Sequence, residues 1–142
     1  MEAFSLATER IEVPLCYNGD ITSVNDLKGI EAAYPTVDRI MIGRGLLAKP
    51  GLLSYARNSD FESDNYRKRL RNLHDEILEG YLSIFSGERD AMFHMKEIWM
   101  YLIQSFADSD KMLKGIKKAQ TLREYQMVVN RIFCDCELNE MI

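Results

Sequence analysis

Apolar positions fall into two regimes along this 142-residue chain. Up to residue 57 they come in short runs. Ile11 to Tyr17 ("IEVPLCY") and Val37 to Ile42 ("VDRIMI") each end in turn residues, a pattern that predicts strands. Pro14 is awkward inside the first, because it donates nothing to a ladder. Between them Ser23-x-x-Asp26 is a helix-capping signature, and Val24, Leu27 and Ile30 follow with helical spacing. "LLAKPGLLSYAR" reads as a short helical or turn segment broken by Pro50 and Gly51. The order strand, helix, strand, helix with short connections predicts a parallel pair. Two such strands cannot cover both faces of a sheet, so residues 1–57 are expected to be the end of something larger.

From residue 60 to residue 142 the period is helical throughout. Tyr66, Leu70, Leu73, Ile77, Tyr81 and Ile84 form one stripe, ending at Gly87. Met92, Met95, Trp99, Leu102 and Phe106 form a second, and Met112, Leu113 and Ile116 mark a short third helix. Thr121-x-x-Glu124 opens a fourth, with an apolar face of Leu122, Tyr125, Val128, Val129, Ile132 and Phe133. Four helices with short connections predict an antiparallel bundle, its aromatic and Met stripes forming the core. The expected fold class is α/β for residues 1–57 and all-α for residues 60–142.

Composition adds bounds. With 46% hydrophobic and 28% charged residues the chain is ordinary globular protein. It has no apolar run near the ~20 residues of a membrane span and no leader pattern, so a cytoplasmic protein is expected. The net charge of -4 gives nucleic-acid binding no support at the level of the whole chain. Locally, however, "YRKRLR" (Tyr66 to Arg71) is basic, and Lys111 to Arg123 carries five Lys/Arg and no acid. On charge alone, a solvated helix face is the better explanation of such runs. The three cysteines are odd in number, and Cys134 and Cys136 have no ligand spacing to His74 or His94. Neither a disulfide framework nor a metal site is expected, and Cys16 reads as a small hydrophobe packed in its strand.

Both strand candidates end in glycine turns, Asn18-Gly19-Asp20 and Gly43-Arg44-Gly45. Parallel α/β sheets hold ligands beyond the carboxyl ends of their strands, and phosphates favour backbone N–H groups that no Cβ obstructs. Arg44 adds a charge suited to a phosphate. A purely structural pair of turns remains the alternative.

Taken together, "VPLCYNGDITS" and "VDRIMIGRGLLAKPGLL" resemble the last two strands of the flavin-dependent tRNA-dihydrouridine synthases. "HMKEIWMYL" and "IKKAQTLREYQMVVNRIF" are similar to that family's C-terminal helical domain. The resemblance implies the last two strand-helix units of a TIM barrel, followed by a four-helix, tRNA-facing domain. It implies reduction of uridine to 5,6-dihydrouridine in tRNA by FMN, with NAD(P)H recharging the flavin. Asn18, Gly19, Asp20, Gly43 and Arg44 then correspond to positions at the FMN phosphate. tRNA contacts are expected from Arg67, Arg71, Lys111, Lys114 and Lys118. The segment "AKPGLL" departs from the family, where Asn-Pro and an aromatic residue are common.

A whole barrel takes about 250 residues, so the chain is expected to be a C-terminal piece. None of Cys16, Cys134 and Cys136 matches the context of the family's catalytic cysteine. No catalytic residue is therefore expected here, and the chain alone should not turn over. Exposed barrel strands are expected to promote self-association. The rival reading is a non-catalytic RNA-binding or protein-interaction module that keeps remnants of a barrel.

Overall fold

A computed structural model describes residues 2–57 and 63–139. Its first element, α1 (Glu2–Arg10), is a helix that the apolar pattern does not announce, since it has no fully buried residue. Phe4 anchors it, packing edge-on against Tyr17 and Tyr34 with ring centroids 5.0 Å away in each case.

The parallel pair is present but shorter than the apolar runs. Strand β1 is Cys16–Tyr17 and β2 is Arg39–Ile40, with Cys16 opposite Arg39 and Tyr17 opposite Ile40. The expected strands Ile11–Tyr17 and Val37–Ile42 shrink because each has a single neighbour to pair with, and Pro14 cannot donate. Ile11, Val13 and Met41 are left exposed beside the ladder. Cys16 is exposed as well, so it is not the packed hydrophobe that its strand position suggests.

Between the strands lies α2 (Val24–Ala33), which starts where its capping signature says. Asp26 N donates to Ser23 Oγ at 3.0 Å, and Ser23 N donates back to the Asp26 carboxylate at 2.9 Å. Thr22 N also donates to that carboxylate, and this bond leads those holding the Asp26 pKa below its ordinary value. After β2 come two short helices, α3 (Arg44–Ala48) and α4 (Leu52–Arg57), separated at Pro50 and Gly51. Ile21, Val24, Leu27, Ile30, Tyr34 and Leu52 form the core of this half.

The remaining helices are α5 (Ser63–Ile84), α6 (Glu88–Leu102), α7 (Asp110–Lys118) and α8 (Leu122–Asp135), with a 3-10 turn at Ile103–Ser105. The stripe from Met92 to Phe106 is buried at all five positions. The α5 stripe needs correction. It runs Tyr66, Leu70, His74, Leu78 at intervals of four, while Leu73 is exposed and Ile84 is 77% exposed. A polar residue thus occupies a core position, which a search for apolar side chains passes over.

Thr121 caps α8, its Oγ1 accepting from Glu124 N at 3.2 Å, while the Glu124 carboxylate reaches back one residue further, to Gln120 N. Helix α6 packs against α3, α5, α7 and α8 and so lies at the centre. Ser105 joins the two halves: its Oγ donates to Ala48 O at 2.5 Å. Beyond α8 the chain returns to the same place, where Asn139 N donates to Ser105 O at 2.8 Å. The described residues thus form a mostly helical molecule of eight helices and two parallel strands.

Candidate functional site

Because β1 and β2 run parallel and in register, their C-terminal turns emerge side by side. Asn18, Gly19, Asp20, Gly43 and Arg44 line a single cleft of about 420 Å³, joined by Ile21, Thr22 and Gly45. The structure therefore brings all five expected phosphate-site residues together. Arg44 Nη2 donates to Asp20 Oδ1 at 2.5 Å, linking one turn to the other, with the two side chains 68% and 78% exposed.

The glycines of the second turn play different parts. A Cβ on Gly45 would lie 1.9 Å from the Ile21 carbonyl oxygen, so only glycine lets α3 start this close to the first turn. A Cβ on Gly43 would meet nothing within 4 Å; the space in front of it is open. The cleft thus gathers the Arg44 guanidinium, Asn18 and the glycine turns at the ends of both strands. Asp20 is the one group on the cleft with the opposite charge.

The basic residues divide differently. Arg67 Nη1 donates to the carbonyls of Phe133 and Cys136, both at 2.8 Å, and so ties the start of α5 to the end of α8. Arg71 donates through Nε to Asp75 at 2.7 Å and through Nη1 to Asn130 at 2.8 Å, and its guanidinium lies over the Phe133 ring. These two arginines hold the α5–α8 seam. Lys111, Lys114 and Lys118 are exposed along α7, whose buried contact is Ile116. Lys96 Nζ donates to the carbonyls of Lys117 and Ala119 and closes the end of that helix.

Sequence reasoning missed a buried polar chain. His74 is 1% exposed, with Nδ1 2.8 Å from the Asp75 carboxylate and Nε2 2.6 Å from the Tyr125 hydroxyl. Trp99 Nε1 donates to that same hydroxyl at 2.8 Å. An indole only donates, so Tyr125 accepts from Trp99 and passes its own hydrogen to His74 Nε2, leaving Nδ1–H for Asp75. Burial pushes the His74 pKa below its usual value and the Tyr125 hydroxyl well above its own. The available signal was the spacing of four shared by Tyr66, Leu70, His74 and Leu78.

Cys16 and Cys134 are exposed and Cys136 is half-buried; none lines the cleft between the turns. Burial pushes the Cys136 thiol up, away from the thiolate form. Among the described residues no group of three or more His, Cys, Asp or Glu could hold a metal ion, and no helix is long and apolar enough to cross a membrane.

No curated protein matches the chain. The sequence model of one family does: dihydrouridine synthase (Dus), over residues 5–135, a span that takes in both glycine turns and helices α5 to α8. Cleft and helical half fall within one continuous match, and the chain belongs to the dihydrouridine synthase family.

Proposed function

We propose that this chain serves a tRNA-dihydrouridine synthase as its cofactor-phosphate and RNA-holding part. Residues 1–57 supply the last two strand-helix units of a flavin-binding TIM barrel, and residues 60–142 a four-helix domain facing tRNA. The observation that carries this reading is the convergence of two glycine turns and Arg44 on one cleft, in a chain of this family.

The residues fit the phosphate end of FMN. The space before Gly43 is open, and Arg44 offers a guanidinium at the rim. Asn18, Gly19, Gly43 and Arg44 would hold the phosphate, with Asp20 beside Arg44. FMN, when bound, supplies the hydride that saturates uridine, and NAD(P)H restores it. This chain's part is to fix the cofactor's tail and, through Lys111, Lys114 and Lys118 on α7, to neutralise RNA phosphates. Arg67 and Arg71 support it indirectly, since their guanidinium groups serve the α5–α8 seam. No residue here is assigned a catalytic role. The setting is cytoplasmic, and the exposed Ile11, Val13 and Met41 beside the two-stranded sheet favour association with a further chain.

The test is equilibrium titration with FMN, riboflavin and unmodified tRNA. FMN should bind more tightly than riboflavin, Arg44→Ala should erase the difference, and tRNA binding should weaken steeply with salt. Equal affinity for FMN and riboflavin in the unaltered protein refutes the phosphate site. Salt-independent tRNA binding refutes the lysine face.

A further inference from the structure

We propose that the Asp20 side chain is a positioning group of the phosphate cleft, its carboxylate holding the Arg44 guanidinium in place rather than touching the anion. The inference rests on the cleft being a phosphate site. An ionised carboxylate only accepts hydrogen bonds, and so do the oxygens of a phosphate dianion; between them there is no hydrogen to share. Asp20 lines the cleft, yet by its chemistry its carboxylate is not one of the anion's ligands. Its partner is Arg44 Nη2, at 2.5 Å.

A guanidinium presents five N–H donors in a planar fork, so one bond to Asp20 leaves four for an oxyanion. A long, exposed arginine samples many rotamers, and binding must otherwise freeze them when the ligand arrives. The bond to Asp20 restricts that freedom beforehand, and among the described residues no other group is bonded to the Arg44 side chain. The Asp20 carboxylate also repels an anion. Both side chains are mostly exposed, so water and salt screen that repulsion, whereas the ordering of the fork acts at contact. Positioning is the larger effect. The pair is not there for folding, because ion pairs this exposed contribute little to stability.

The experiment measures FMN and riboflavin affinities of the unaltered chain, Asp20→Ala, Asp20→Glu and Arg44→Ala, with flavin fluorescence as the readout. Asp20→Ala should weaken FMN about two- to tenfold, the size expected for one rotamer-rich side chain left unordered. Riboflavin, which lacks the phosphate, should be unaffected. Asp20→Glu should recover most of the loss, and Asp20→Ala should add nothing in the Arg44→Ala background. The inference is overturned if Asp20→Ala leaves FMN unchanged or tightens it, or if it weakens both flavins equally. A preference for FMN that is undiminished in Asp20→Ala sinks this inference and spares the phosphate site. An unaltered chain with no preference at all sinks both.

Discussion

The hydroxyl of Tyr125 stands 2.6 Å from Nε2 of His74 and receives the Trp99 indole N–H on its other side, so one oxygen pins α5, α6 and α8 together. Tyr125→Phe keeps the ring and removes that oxygen, leaving two buried polar groups without a partner. Each costs about 1–3 kcal/mol. Chemical denaturation should show a loss in this range or above, with the cleft's affinity for FMN unchanged.

The same chain sets a dependence on acidity. His74 is buried in its neutral form, and burial lowers its pKa below the unfolded value. Above about pH 6.5 both states leave it neutral; below that the unfolded chain takes up a proton that the folded chain refuses. Stability therefore falls as pH drops through about 6.5, by at most about 2 kcal/mol on reaching pH 5. Asp75, whose pKa is lowered by its bonds to Arg71 and His74 against an opposing desolvation, adds a loss only in stronger acid, as pH falls through the carboxylate range. Urea midpoints at pH 7 and pH 5 should differ accordingly, and His74→Gln should flatten that slope.

Gly45 and Gly43 should respond differently to one methyl group. Gly45→Ala drives a Cβ into the Ile21 carbonyl, which is backbone and cannot swing aside. Overpacking of this kind costs about 1–3 kcal/mol, and FMN binding should fall with it as the two turns separate. Gly43→Ala meets open space, so thermal stability should hardly change. Equal melting temperatures for the two variants would refute the assigned close approach.

Charge removal separates the lysines from the arginines. Lys114→Gln with Lys118→Gln should weaken tRNA binding, and the slope of log affinity against log salt should fall by roughly 1.5. The fold should be unaffected, since both side chains are exposed. Arg67→Gln should instead lower stability, because it strips two carbonyls at the end of α8 of their donor. An unaltered salt slope in the lysine pair would mean that the α7 face is merely solvated.

Supplied with FMN, NAD(P)H and unmodified tRNA, the chain alone should form no dihydrouridine. Holding a cofactor by its tail leaves most of its surface unburied, and no cysteine lines the cleft. Turnover that disappears in Cys16→Ser would overturn this expectation.

Much of this was legible in the sequence where local rules act alone. The Ser23–Asp26 cap, the break at Pro50–Gly51, the Met92–Phe106 stripe and the two glycine turns taken singly depend on neighbours in the chain, and the structure has each of them. What the sequence concealed depends on distant partners. Strand length hinges on how many strands stand alongside, so Ile11–Tyr17 overestimates β1. The place of His74 in the core depends on Tyr125, fifty-one residues away. Arg67 reads as a free cation until the end of α8 is known to lie against it. Helix α1 is held by Phe4 and by the Ser5–Tyr34 hydrogen bond, and one apolar anchor beside one polar one leaves no apolar period to detect.

Ser105 has a consequence for how the molecule breathes. Its Oγ donates to Ala48 at the end of α3, and its carbonyl holds the Asn139 amide beyond α8. Two stretches remote in sequence are fastened at one residue that is 2% exposed. Opening either one exposes polar groups that hold the other, so amide hydrogens on both sides of the joint should exchange as one cooperative unit. Ser105→Ala should split that unit: the Asn139 amide and those of α3 would then exchange at separate rates, long before the helical core lets go.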